Sequence, residues 1–168
     1  MPDHHNNAQV VNLPDAAATR ALGARLAAGL SPGLQIHLQG ELGAGKTTLV
    51  QGLLAALGYR GRVKSPTYAL VEVYELSRLN LYHFDFYRFR DSDEWRDAGF
   101  SEVFGGDAIC VVEWPDKAGN DLPRPDIDIT LQVNPEPDTR RALITAHTTA
   151  GAQCCASLAS SRSPEISS

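Results

Sequence analysis

The chain predicts an α/β fold with a mixed, partly antiparallel central sheet, and three stretches carry that expectation. First, the alternating run Leu34-Gln35-Ile36-His37-Leu38-Gln39 leads into a glycine-rich loop and then into a helical run from Thr48 to Leu57. Leu49, Val50, Leu53, Leu54 and Leu57 share one helical face, and Gly58 follows as a stop. Second, Tyr68 to Leu76 and Asn80 to Phe86 are β-rich and joined through Ser77-Arg78-Leu79-Asn80. So short a connection makes an antiparallel hairpin and excludes a purely parallel sheet. Third, Ala108-Ile109-Cys110-Val111-Val112 is a continuous apolar run that suits a strand covered on both faces.

The glycine loop reads Gly40-Glu41-Leu42-Gly43-Ala44-Gly45-Lys46-Thr47 and fits G-x-x-x-x-G-K-[ST] at every fixed position. Strand, loop and helix in this order give the context the motif needs, so the fold expected is P-loop NTPase-like, with three layers. A loop that wraps a polyphosphate must aim successive backbone N–H groups inward, and glycine allows that path without a Cβ clash. Lys46 brings a positive charge to the β- and γ-phosphates, and the Thr47 hydroxyl is placed for Mg²⁺. Thr48 completes the cradle that runs from Glu41, and the helix start adds its positive dipole end.

The remaining elements follow in chain order. Val10, Val11 and Leu13 suggest a short first strand after a polar, loose N-terminus, Met1 to Asn7. Asp15 caps a helix over Ala16 to Leu30, with Leu22, Leu26 and Leu30 on one face and Gly23 and Gly29 weakening it. Ser31-Pro32-Gly33 turns the chain into the P-loop strand.

After the P-loop helix, the basic loop from Gly58 to Thr67 ends in Ser65-Pro66-Thr67. It is either a switch that carries a hydroxyl toward the γ-phosphate or a surface turn set by Pro66. The second hairpin strand ends Leu81-Tyr82-His83-Phe84-Asp85. An aspartate at the end of an apolar strand is what a Mg²⁺ site beside a P-loop requires; capping a turn is the plainer reading.

Asp91 to Trp95 looks like a capped helix start, and Asp97 to Gly106 like a loop or short helix anchored by Phe100 and Phe104. The apolar run then ends in Glu113-Trp114-Pro115, where Pro115 stops the strand and Glu113 competes with Asp85 for the metal or water-positioning role. Asp116 to Pro125 reads as a loop. Ile127, Ile129, Leu131 and Val133 alternate as a strand, and Arg141 to Thr145 returns as its hairpin partner. From Ala150 the residues are small and polar, so the expected organisation is one domain over residues 1–149 and a disordered tail over 150–168.

Composition narrows the function. A formal charge of −5 argues against nucleic-acid binding through a broad basic face, so any RNA contact is expected to be local or through a partner. No apolar run reaches membrane-spanning length, and the N-terminus lacks a signal-peptide core. Three cysteines with no C-x-x-C make no disulfide framework; Cys110 reads as a core residue, and the setting expected is reducing and cytoplasmic. His37 and His83 read as surface or core histidines rather than metal ligands. The aromatic group around Tyr82, Phe84, Phe86, Tyr87, Phe89 and Trp95 reads as core and partner surface. Arg88 and Arg90 either reach phosphates or pair with the acidic run Asp91 to Glu94.

These motifs together resemble the bacterial TsaE family, the ATPases of tRNA threonylcarbamoyladenosine biosynthesis. The resemblance rests on Leu42-Gly43-Ala44-Gly45-Lys46-Thr47, Ser65-Pro66-Thr67, His83-Phe84-Asp85-Phe86-Tyr87-Arg88 and Glu113-Trp114-Pro115, in that order and spacing, within about Val10 to Thr145. It implies a weak ATPase that works with two partner proteins, of the TsaD and TsaB type, to install threonylcarbamoyl on the adenosine beside the anticodon. ATP hydrolysis would reset that machinery between turnovers, and contact with tRNA would be indirect. Carried over by motif, Thr47 and Glu113 hold Mg²⁺ with Asp85 close by, Trp114 flanks the nucleotide, and Thr67 belongs to a switch-like loop. Thr19 and a late basic residue, Arg140 or Arg141, hold the base. A P-loop small-molecule kinase and a non-hydrolysing nucleotide sensor are the rival readings. A GTPase is disfavoured because no Asn-Lys-x-Asp sequence occurs.

Overall fold

The computed structural model describes residues 7–66, 69–88 and 99–160. Its elements are β1 (Asn7–Leu13), α1 (Ala16–Ala28), β2 (Gln35–Gln39), α2 (Lys46–Ala56), β3 (Val71–Glu75), β4 (Asn80–Asp85), β5 (Ile109–Glu113), β6 (Ile127–Val133), β7 (Arg140–Ala146) and α3 (Thr149–Ser160). Two 3₁₀ segments, Phe100–Val103 and Pro115–Asp121, flank β5 in sequence.

The seven strands form one sheet in the order β1-β7-β6-β2-β5-β4-β3. The inner four, β6, β2, β5 and β4, run parallel to one another. β3 closes one side as the antiparallel partner of β4, and β7 pairs antiparallel with both β6 and β1 on the other. This is the mixed α/β sheet expected from the hairpin and the apolar runs.

The helices pack on one sheet face. Leu22 and Leu26 of α1, Leu49, Leu53 and Leu54 of α2, and Cys154, Cys155 and Leu158 of α3 share a core with Ile36, Leu38, Val111, Ile127, Ile129 and Ile144. Asp15 starts α1 by accepting the Ala18 N–H at 2.8 Å, an N-cap bond of the kind short polar side chains make. Gly23 and Gly52, which lower helix propensity, sit where α1 and α2 touch. A Cβ on Gly23 would collide with Leu49 backbone, and one on Gly52 with Arg20 backbone. Close helix approach outweighs the propensity cost of roughly 1 kcal/mol per glycine.

Over β4 and β5 the opposite face is covered by the 3₁₀ segments. Phe84, Phe86, Cys110, Val112, Phe104 and Ala118 form a second core there. Phe84 stacks on Phe104 with centroids 5.2 Å apart. Asp116 to Pro125, expected as a loop, is therefore in large part a 3₁₀ turn that carries Ala118 into this core.

Two further expectations are corrected. Alternation in β2 suggested a half-buried strand, yet Gln35 and His37 are buried along with Ile36 and Leu38. A strand inside a parallel array is covered on both faces, and polar side chains at alternate positions do not change that. Of the tail expected to be disordered over 150–168, residues 150–160 instead belong to α3. Its small residues allow it to lie close: a Cβ on Gly151 would collide with the Asp126 carbonyl, and one on Gly29 would come within 2.7 Å of the Cys154 carbonyl. Residues 161–168, the capped helix start at Asp91 to Trp95, Phe89 and Arg90 lie outside the described residues.

Candidate functional site

Strand direction assembles the site. β2, β5 and β4 are parallel neighbours, so the residues at their C-terminal ends meet at one edge of the sheet, where ligands bind in open α/β sheets. Leu38, one residue before the end of β2, is in register with Glu113 at the end of β5, and Glu113 is in register with Asp85 at the end of β4. The two carboxylates that competed for one role in the sequence stand side by side next to the P-loop.

The loop itself takes the path its glycines permit. Gly40, Gly43 and Gly45 have φ of 154°, 82° and 105°, and Gly45 opens α2 with no side-chain cap. A side chain on Gly40 would come within 2.8 Å of the Leu131 carbonyl. The start of α2 thus carries no side-chain cap, and an uncapped helix N-terminus beside a glycine loop favours an anion.

A cleft of about 400 Å³ lies against this edge and is lined by Leu42, Gly43, Gly45, Lys46, Thr47, Thr48, Ser65, Asp85, Tyr87, Arg88, Glu113 and Trp114. A second cleft of about 320 Å³ adjoins it across Gly43, Gly45 and Thr48 and is lined by Thr19, Asp15, Asp138 and Arg140. Of the expected site residues, Thr47, Thr48, Lys46, Asp85, Glu113 and Trp114 meet in the first, and Thr19 and Arg140 in the second. Glu41 is exposed and lines a separate groove beside β6, and Ala44 is buried under the loop. Thr67 lies outside the described residues; its neighbour Ser65 reaches the first cleft.

Lys46 is turned inward. Its Nζ donates to the Gly40 carbonyl at 2.5 Å, lies 3.4 Å from Glu113 Oε1, and sits 5.1 Å from the centre of the Trp114 ring. Glu113 Oε2 is 2.7 Å from His83 Nε2. Burial pushes the Glu113 carboxyl up, but the hydrogen bond and field of His83, then those of Lys46, outweigh it and hold the group below the ordinary carboxylate range. Asp85 Oδ1 accepts the Tyr87 N–H at 2.9 Å, so the turn-capping reading of this residue holds alongside its place in the cleft.

Trp114 has φ 57° and ψ 53°, a left-handed backbone rare outside glycine, of order 1 kcal/mol in cost. Tyr87 packs against its ring at 4.9 Å between centroids. Pro115, next in the chain, cannot extend the ladder, and the left-handed turn swings the indole over Lys46.

The structure separates Arg140 from Arg141. Arg140 Nη2 donates to the Gly43 carbonyl at 2.9 Å and Nη1 to Thr139 at 3.0 Å, which puts the guanidinium at the second cleft. Arg141 instead binds Gln132 across the hairpin. His83 is the residue the sequence reading missed. The sequence offers it as a surface or core histidine rather than a metal ligand, and the signal for its link to the site is its place two residues before Asp85 on the same strand face.

A family model described as "Threonylcarbamoyl adenosine biosynthesis protein TsaE" matches residues 13–143. The chain is 42% identical over 118 residues to the tRNA threonylcarbamoyladenosine biosynthesis protein TsaE of Haemophilus influenzae, across 70% of this chain and 73% of that protein. To the protein of the same name from Bacillus subtilis it is 39% identical over 114 residues, across 68% of this chain and 71% of the other. The crystal structure of Bacillus subtilis YdiB superposes with a TM-score of 0.80 at 28% identity, covering 94% of this chain and 98% of that one.

Proposed function

We propose a function for this chain, which belongs to the TsaE family of threonylcarbamoyl adenosine biosynthesis proteins: it binds and hydrolyses ATP within the tRNA N6-threonylcarbamoyladenosine pathway. The observation that carries the reading is the meeting of Lys46, Thr47, Asp85 and Glu113 at one cleft beneath a glycine cradle.

The donors fit Mg²⁺. Among the described residues no three His, Cys, Asp or Glu side chains form a metal cage. Mg²⁺ beside a nucleotide does not need one, because it is held by one or two carboxylates or hydroxyls, the phosphates and water. Thr47 and Glu113, with Asp85 beside them, are the oxygen donors that would hold it. When bound, the ion neutralises charge on the phosphate oxygens.

The chain's own residues supply the rest. Backbone N–H groups of the loop and of the α2 start hold the β-phosphate region. Lys46 leaves the Gly40 carbonyl and Glu113 for the γ-phosphate, so the contact to Glu113 acts as a latch that phosphate replaces. Glu113, freed on its Oε1 side, accepts from the attacking water and orients it. Trp114 covers the phosphate end of the cleft, and Thr19 and Arg140 flank the base and ribose in the second cleft. Chemistry of this kind is positioning and electrostatics, with no covalent intermediate.

In the pathway, this hydrolysis resets a complex of TsaD-type and TsaB-type partners between turnovers, with tRNA touched through those partners. No described helix is long and apolar enough to cross a membrane; the proposed work on tRNA places the chain in the cytoplasm. The test measures phosphate release by the chain alone, then with both partner proteins and tRNA. Slow release that rises in the full mixture, with no phosphorylated acceptor, is expected. No stimulation, or phosphate found on a small-molecule acceptor, overturns the reading.

A further inference from the structure

His83 is wholly buried, at a β4 position that an apolar residue would fill by default. Burying an imidazole is costly unless the ring is hydrogen-bonded. The ring makes one such bond, 2.7 Å from Nε2 to Glu113 Oε2, a length typical of a charge-assisted contact, while Nδ1 has no partner among the described residues. The two residues come from neighbouring parallel strands 30 positions apart in the chain. A full histidine is thus committed to a single carboxylate oxygen.

The other oxygen of that carboxylate faces Lys46 at 3.4 Å. Lys46 is also the residue that the nucleotide reading, on which this inference rests, sends to the phosphates. A glutamate whose cationic partner departs is free to change rotamer unless something retains it. We propose that His83 is a positioning residue for Glu113: its Nε2–H holds Oε2, so Oε1 stays aimed into the cleft when Lys46 turns away. The roles divide cleanly. Lys46 and the loop amides bind phosphate without needing His83, whereas the placement of Glu113 toward water and Mg²⁺ depends on it.

The experiment compares wild type, His83→Leu, His83→Gln and Glu113→Gln in the full-length chain. Leucine fills the volume and removes the donor; the glutamine amide reaches near the place of the imidazole Nε2 and restores a donor. For His83→Leu the turnover rate with the partner proteins falls about 10- to 100-fold, the range for outer residues that orient a metal-site ligand. ATP affinity without Mg²⁺ stays within about threefold of wild type. The gain in ATP affinity on adding Mg²⁺ shrinks in the same variant, and His83→Gln recovers most of both losses. In histidine-¹⁵N-labelled protein, wild type shows an Nε2-bound proton on His83 that shifts in Glu113→Gln, a readout that needs no His83 variant to fold.

A folded His83→Leu that turns over as fast as wild type with the same Mg²⁺ increment overturns the proposal. So does glutamine no better than leucine, or an Nε2 proton indifferent to Glu113→Gln. Failure of wild type to bind ATP at all instead overturns the nucleotide reading, and this inference with it.

Discussion

Lys46 Nζ and Glu113 Oε1 lie 3.4 Å apart, and both side chains are almost entirely buried. The P-loop lysine is therefore part of the fold as well as part of the site. Lys46→Ala leaves the Glu113 carboxylate with His83 as its remaining partner among the described residues. Breaking a buried pair costs about 3 kcal/mol or more, and the surviving His83 bond puts this case at the low end. Urea unfolding is expected to show that loss, and Lys46→Ala/Glu113→Gln to recover part of it. Calorimetry is expected to show ATP binding weakened at least 100-fold in either variant that lacks Lys46.

Arg140 and Arg141 are neighbours with opposite fates. Arg140 reaches the Gly43 carbonyl, and Arg141 holds Gln132. Arg140→Ala is expected to raise the nucleotide dissociation constant about tenfold, since a bond from a charged donor is worth about 1.5–3 kcal/mol. Arg141→Ala is expected to change it less than twofold. Fluorescent-nucleotide titration of both variants checks the assignment; equal effects would remove Arg140 from the site.

Acid stability carries two signatures. Burial lowers His37 below its usual 6.5, and Asp128 and Asp116 only partly offset this, with His147 adding to the lowering. Just below pH 6.5 the unfolded chain takes up a proton that the native chain refuses. Stability there falls as pH falls, by at most about 1.4 kcal/mol per pH unit for one proton. His37→Gln is expected to flatten this part of a melting-temperature profile. Glu113, held below 4.5, contributes stability that is present above that pH and is lost as pH drops through its native value. Glu113→Gln is expected to flatten only that lower limb.

The C-terminal helix is expected to be needed for the core. Cys154, Cys155 and Leu158 are buried in it, Cys154 Sγ lies 3.4 Å from the Leu26 carbonyl, and Ser157 Oγ donates to the Arg25 carbonyl at 3.1 Å. Leu158→Ala should cost about 2–4 kcal/mol by chemical denaturation. Burial pushes the thiols of Cys110 and Cys154 up to about 12 and that of Cys155 to about 11. A thiol reagent at pH 8 is therefore expected to modify none of the three until the protein unfolds.

The amino-acid sequence by itself determined the parts whose physics is local. The P-loop, the helix after it, the Asp15 cap and the β3–β4 hairpin each depend on residues a few positions apart, and periodicity or turn chemistry reports those directly. The apolar run 108–112 likewise announced a strand covered on both faces. Strand order was not local. Only pairing β4 beside β5 beside β2 turned two carboxylates written as rivals into neighbours, and joined His83 to Glu113. Only the β6–β7 hairpin swung Arg140, 97 positions from Gly43, onto the P-loop while sending Arg141 away. The C-terminal helix escaped the sequence for a related reason. Alanine, glycine and cysteine carry little apolar signal of their own, and what stabilises α3 is the close approach that small side chains allow against a surface the rest of the chain had to build first.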